Sequence, residues 1–267
     1  MRKRRQRAHT LVEALVALAL AAFVLAAAVA LYRTQRAAYG ASVDAARARD
    51  AAAVALTLVA QSVRMAGFVP LDARMADVAP LFGCSSGRVA GDATRPACFA
   101  ETDGSDGLLV RYVGDAVSTW PTADGRVTDC LGQGVGAVGD RPLVVNRYFV
   151  RSGRSARGPE LYCEGSGRPG VAQPLVEGIE RLRLRYRLRG RAAWRDASAL
   201  AAGAWREVVA IEVCVQVRGT APAQAARYLD CDGTIQRSRD GRRRWSARRW
   251  LSLRNAGLPA GVSGAEK

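Results

Sequence analysis

From Ala14 to Leu31 the chain reads ALVALALAAFVLAAAVAL, eighteen residues without a polar side chain. Adding Leu11, Val12 and Tyr32 gives about 21 apolar positions, roughly 30 Å of helix, which matches the hydrocarbon core of a bilayer. The preceding segment, MRKRRQRA, carries five basic residues and no acid. Positive charge ahead of an apolar span holds the N-terminus in the cytoplasm and sends the remainder across. The alternative is a cleaved secretory signal, whose apolar core is usually shorter and is followed by a small-x-small cleavage site. Here Arg33-Thr34-Gln35-Arg36 follows instead. Twin arginines occur at Arg4-Arg5, but the apolar residues that a twin-arginine signal needs directly after them are missing.

The helical pattern does not stop at the end of this span. No Pro occurs before Pro70, and Gly40 is the one Gly before Gly67. A single helix is therefore expected over residues 9–66, membrane-spanning over about 11–32 and ended by Gly67 and Pro70. In its second half Val54, Leu58 and Met65 fall near one stripe, flanked by Ala55, Val59 and Ser62. Arg47, Arg49 and Arg64 point elsewhere. Such a stripe is expected to cover a sheet.

Residues 67–267 read as one β-rich head. RLRLRYRLR at 181–189 alternates, placing Leu182, Leu184, Tyr186 and Leu188 on one face. Residues 207–218 alternate as well, with Val209, Ile211, Val213, Val215 and Val217 expected inward and Cys214 on the opposite face. Weaker strands are expected at 107–113, 143–150 and 248–254. Helical patterning is absent after residue 70, so the sheet is expected to be antiparallel. Residues 83–106 and 114–141 read as Gly-, Asp- and Ser-rich loops, and 255–267 as a frayed tail.

All six cysteines (Cys84, Cys98, Cys130, Cys163, Cys214 and Cys231) lie in this head, and no two are spaced as C-x-x-C. An even set without zinc spacing implies a disulfide framework in an oxidising compartment, with free buried thiols as the alternative. This agrees with the orientation drawn from the basic leader. Six cysteines allow fifteen pairings. Sequential pairs, Cys84–Cys98, Cys130–Cys163 and Cys214–Cys231, are favoured because each closes a short loop. The first alone removes roughly 3 kcal/mol of unfolded-state entropy.

One residue conflicts with a plain anchor. Glu13 sits just inside the apolar span, where a carboxylate costs on the order of 2.5–3.5 kcal/mol if it lies deep. Either it is shallow enough to reach the interface, or it has a partner. The string Ala8-His9-Thr10-Leu11-Val12-Glu13, behind a basic leader and opening a long apolar helix, resembles the signal of type IV prepilins. Ala8 stands where that family has Gly, His9 where it has Phe, and the Pro found partway along many pilin stems is absent. The resemblance implies cleavage by a prepilin peptidase between Ala8 and His9, making 1–8 the leader, and methylation of the new N-terminus at His9. Glu13 then becomes the fifth mature residue, whose carboxylate would pair with a neighbouring subunit's ammonium and set register.

Several head segments are similar to the PilW family of minor pilins: Arg64-Met65-Ala66-Gly67-Phe68 at the helix end, Ser105-Asp106-Gly107 before a strand, Pro174–Glu180 before the alternating strand, and Leu251-Ser252-Leu253-Arg254-Asn255. This implies an α+β, type IV pilin-like fold, with the long helix packed on an antiparallel, disulfide-linked head. It implies a structural subunit, first in the inner membrane with its head in the periplasm, then in the pilus at the cell surface. Its partners would be major and other minor pilins, the inner-membrane assembly platform and a PilY-type tip adhesin. A type II secretion pseudopilin shares the same stem and is the nearest alternative; a DNA-capturing pilin is another.

Enzymatic readings find little footing. His9 is the single histidine, so the head can build neither a Ser-His-Asp nor a Cys-His arrangement, nor a histidine-based metal site. No cofactor is implied. Gly134–Gly139 matches G-x-G-x-x-G but follows Cys130 in a loop and runs into Asp140-Arg141-Pro142, not into a helix. Arg242, Arg243, Arg244, Arg248 and Arg249, interleaved with Trp245 and Trp250, could form a polyanion patch. The alternative is an edge strand whose arginines face water and block sheet-to-sheet pairing. The formal charge is +16, and all of the 40 basic residues except Lys3 and Lys267 are arginine. With abundant Ala and Gly beside it, this matches the composition bias of a GC-rich genome and weakens a nucleic-acid reading.

Overall fold

The computed structural model describes residues 10–100, 104–152, 158–222 and 226–255. The chain forms two compact units, divided between Ala46 and Arg47. In the first unit helix α1 (Leu11–Met65) begins. The helix runs 55 residues because neither Pro nor a second Gly interrupts it after Gly40. Its first thirty residues are exposed on every side, Leu15, Phe23 and Leu31 among them. Among the described residues it is the one helix long and apolar enough to cross a membrane.

Among the described residues the second unit holds the rest of α1 and fifteen strands. The first seven are β1 (Leu81–Cys84), β2 (Gly87–Gly91), β3 (Pro96–Ala100), β4 (Gly107–Val113), β5 (Val127–Thr128), β6 (Gly134–Val135) and β7 (Leu143–Ser152). Then come β8 (Pro159–Gly165), β9 (Ala172–Glu177), β10 (Ile179–Leu188), β11 (Trp194–Arg195) and β12 (Val208–Pro222). The last three are β13 (Arg227–Leu229), β14 (Ile235–Arg237) and β15 (Arg242–Ser252). They form a five-stranded sheet, β1-β4-β7-β8-β9, and a four-stranded sheet, β11-β10-β12-β15; β2–β3, β5–β6 and β13–β14 pair separately. Every pairing is antiparallel. The second half of α1 packs with both sheets in one core, which includes Val59, Leu108, Tyr148, Leu182, Tyr186 and Ile211. That shared core is why the unit boundary falls inside the helix.

The helix buries a face shifted from the centre of the expected stripe toward the residues flanking it. Ala48, Ala52, Ala55, Val59, Ser62, Val63 and Ala66 are buried, Leu58 and Met65 border the face, and Val54 is 50% exposed. Leu56 and Ala60 are buried as well, so the core side mixes alanines with larger apolar residues. A second correction concerns β12. Val208, not Val209, faces the core, because the register slips between Arg187 and Leu188 and Leu188 pairs with Val208. An irregularity of this kind turns the alternation by one residue.

The segments expected to be loops contain strands. Residues 83–106 hold the β2–β3 hairpin and the end of β1, and 114–141 hold the short β5–β6 pair. The strand expected at 248–254 spans Arg242–Ser252, and β8 and β9 were not anticipated. Residues 256–267, most of the expected tail, lie outside the described residues.

Candidate functional site

The start of α1 is held by reciprocal hydrogen bonds. The Thr10 N–H donates to Glu13 Oε2 at 3.0 Å, and the Glu13 N–H donates to Thr10 Oγ1 at 3.3 Å. The first turn of a helix leaves N–H groups without partners, and this Thr-x-x-Glu pair satisfies two of them. Beyond the register role that the prepilin resemblance implies for Glu13, the Thr-x-x-Glu spacing is itself a capping-box signature. Ala8 and His9, the expected cleavage and methylation positions, lie outside the described residues, as does leader segment 1–8.

In the head, bridges join Cys84 to Cys98, Cys130 to Cys163 and Cys214 to Cys231. The first ties β1 to the β2–β3 hairpin. The second ties the turn after β5 to β8. The third ties β12 to the β13–β14 turn. Cys214 lies on the face opposite Val213 and Val215 and is buried.

The arginine segment forms β15, which pairs only with β12 among the described strands. The structure does not present its five arginines as one free cationic surface. Arg244 donates twice to Glu180, at 2.7 and 2.8 Å, and twice to Asp240, at 2.8 and 3.0 Å. These bonds raise its pKa and hold the Asp240 carboxyl well below the usual carboxylate range. Arg248 lies 3.5 Å from Glu212, whose other oxygen accepts from Trp250 Nε1, and Arg242 donates to the Thr220 carbonyl. Arg243 and Arg249 remain exposed. The segment is mostly an edge strand knitted to its own sheet.

Gly134–Gly139 contains β6 and a turn closed by the Ala137 N–H on Asp140 Oδ2 at 2.7 Å, with no helix after it. Among the described residues no group of three metal-ligating side chains occurs.

A groove of about 790 Å³ opens beside the C-terminal turns of α1. Its floor is a buried polar chain: Ser62 Oγ lies 2.7 Å from Tyr148 Oη, Asn146 Nδ2 donates to Ser62 Oγ at 3.2 Å, and the Cys130 N–H donates to Asn146 Oδ1 at 3.0 Å. Burial pushes the Tyr112 hydroxyl up to about 12, against the opposing Asn146 hydrogen bond. Tyr148 is raised further by the same cause. Both phenols therefore stay neutral. The rim carries Trp120, 92% exposed, and the exposed side chains of Gln61, Arg64 and Arg254. No sequence pattern marks this groove, because its lining comes from segments far apart in the chain.

Two family models match parts of this chain. The family model for type IV pilus-assembly protein W matches residues 147–255, and the prokaryotic N-terminal methylation motif matches residues 3–29. No curated protein matches the chain. Among solved structures, a type IV-like pilin from Thermus thermophilus aligns with a TM-score of 0.44 at 14% identity, over 78% of this chain and 97% of that one.

Proposed function

We propose, from the premise that this chain joins a prepilin-type N-terminal signal to a PilW-type head, that it is a minor pilin helping to prime type IV pilus assembly and standing in the tip complex. The observation carrying this reading is the order of parts: a methylation motif at residues 3–29, an apolar helix exposed on all sides, and a disulfide-linked antiparallel head matching the PilW model over residues 147–255.

The mechanism is physical and not catalytic. Before assembly the apolar half of α1 rests in the inner membrane as a single pass, with the leader cytoplasmic and the head periplasmic. A prepilin peptidase cuts between Ala8 and His9 and the new terminus is methylated. Exposed Leu, Val and Ala side chains then exchange lipid for neighbouring stems, which shields them from water once the subunit leaves the bilayer. The Glu13 carboxylate gives axial register by meeting the ammonium of an adjacent subunit. The head supplies contacts to other minor pilins, to major pilin and to a tip adhesin, while the assembly platform drives insertion.

Deleting the gene and counting surface filaments tests the priming role. The expected result is a large loss of filaments, restored by the wild-type chain. Unchanged filament number with a lost type II secretion phenotype would assign the chain to the pseudopilus instead.

A further inference from the structure

The groove lies beside the last turns of α1, and its lining combines a polar floor, two arginines and an exposed tryptophan. We infer that it is a binding site for a small acidic saccharide, one to three sugar rings bearing carboxylates.

Size comes first. About 790 Å³ falls within the range of small-ligand sites. Charge comes second. Arg64 and Arg254 both line the groove, and among the described residues neither has a carboxylate partner. The one acid in the wall, Asp129, is turned inward and consumed by the N–H groups of Leu131, Gln133 and Gly167. An incoming carboxylate therefore meets two uncommitted guanidiniums, which favour planar anions.

The third argument is the rim aromatic. Trp120 is 92% exposed, yet its backbone is fixed, since its carbonyl accepts from Thr128 Oγ1 at 2.5 Å and the Asp115–Ser118 turn before it is closed by a 2.6 Å bond. With its backbone fixed, the exposed indole presents an apolar aromatic face at the rim of the groove. The C–H face of a sugar ring suits an indole face, and the adjacent Gln61 amide can both donate to and accept from ring hydroxyls. The satisfied polar floor, Ser62, Asn146 and Tyr148, keeps the groove open and polar without competing for the ligand. A nucleic acid would need more than two cations along its backbone. An acidic peptide would look for an open strand edge, and the lining here is side chains.

The test uses the full-length chain, purified in a detergent without a sugar headgroup and titrated calorimetrically with trigalacturonate. Maltotriose, triglutamate and an oligothymidylate of three nucleotides serve as comparison probes. Expected is saturable binding of trigalacturonate at least 10-fold tighter than maltotriose, triglutamate or the oligonucleotide. Trp120→Ala and the double variant Arg64→Gln/Arg254→Gln should each weaken it at least 10-fold. These side chains are exposed, so unchanged thermal unfolding with all bridges intact is the required control for both variants. Absence of saturable binding overturns the inference. So does equal affinity for maltotriose, for triglutamate or for the oligonucleotide, or retention of binding in both variants. The readout is independent of filament assembly, so its failure leaves the pilin reading untouched.

Discussion

The Asp106 carboxylate accepts the backbone N–H of Leu184 at 2.8 Å, so a side chain from the start of β4 occupies a hydrogen-bonding position along β10. Its neighbour continues the mimicry: Ser105 Oγ accepts the Leu182 N–H at 2.9 Å, and the Asp106 N–H donates to the Leu182 carbonyl. β11 pairs only with Tyr186 and Arg187, which leaves the earlier part of β10 open to these groups. The two sheets are thereby joined at their seam by Ser105-Asp106. Asp106 also accepts from the Ser86 N–H and from Arg183.

Replacing Asp106 by Ala strands the buried Leu184 N–H and also removes the acceptor of the Ser86 N–H, on an exposed residue, and of one arm of Arg183. An unsatisfied buried donor costs about 1–3 kcal/mol, so the loss should fall in the upper part of that range once the Arg183 contact is lost with it. Ser105→Ala should cost less, about 1 kcal/mol. Denaturant unfolding of the detergent-solubilised chain measures both. Equal, near-zero effects would mean that the seam is not held here.

Gly83 is fixed by close approach. A Cβ there would sit 2.0 Å from Tyr186 Oη and 3.3 Å from the Trp205 ring. Gly83→Ala should therefore destabilise by roughly 1–3 kcal/mol through overpacking. The Tyr186 hydroxyl is buried without a hydrogen-bond partner. Tyr186→Phe should accordingly be neutral or stabilising, and in the double variant it should recover part of the Gly83→Ala loss. Additive effects would contradict the proposed clash.

The turn of the β2–β3 hairpin should loosen in acid. Asp92 Oδ1 accepts the Arg95 N–H at 2.6 Å and the Thr94 N–H at 2.7 Å, and these bonds, with the Thr94 hydroxyl, depress its carboxyl to about 2. A depressed folded pKa means that this contribution is complete above the unfolded value near 3.8 and is lost as pH falls through about 2. The Thr94 and Arg95 amide resonances should titrate with a midpoint near pH 2. A midpoint near 3.8 would mean that the bonds do not form in solution.

Much of the fold was readable because its largest elements obey simple periods. RLRLRYRLR could only sit as a half-buried strand, and uninterrupted apolar residues from Ala14 to Leu31 could only form an exposed helix if membrane or partners receive it. What escaped had physical reasons. PELYCEG and AQPLVE do not alternate cleanly, so β8 and β9 gave no period-2 signal. The β2–β3 hairpin is rich in Gly and Ala and is held by the Cys84–Cys98 bridge in place of a large apolar face. The Val209 reversal comes from an irregular register that no local pattern announces. Arg111 was unremarkable in sequence but is buried, donating to the Ala79 and Ala93 carbonyls at 2.6 Å, with burial and nearby Arg147 lowering its pKa to about 10. For the site, Glu13 and the cysteines were legible from type and spacing. The groove was not, since Gln61, Trp120, Asn146 and Arg254 meet only after folding.

Glu13 has two separable tasks, closing the first turn with Thr10 and carrying a charge. Glu13→Gln preserves the capping geometry and removes only the charge. Fractionation should show normal membrane abundance but a filament fraction reduced severalfold, because under the proposed pairing an ammonium left without its counter-charge is costly in an apolar core. Thr10→Ala should weaken the cap by about 1 kcal/mol with a smaller effect on incorporation. If Glu13→Gln enters filaments at the wild-type level, capping is its whole role.

Whether this chain is a processed filament subunit can be read directly from filaments. Filaments sheared from cells and purified can be digested and read by mass spectrometry for this chain and for its N-terminal peptide. The predicted result is substoichiometric presence, with the peptide beginning at methylated His9 and no trace of residues 1–8. Absence of the chain from filaments, or its presence there with Met1 and the leader intact, would contradict it.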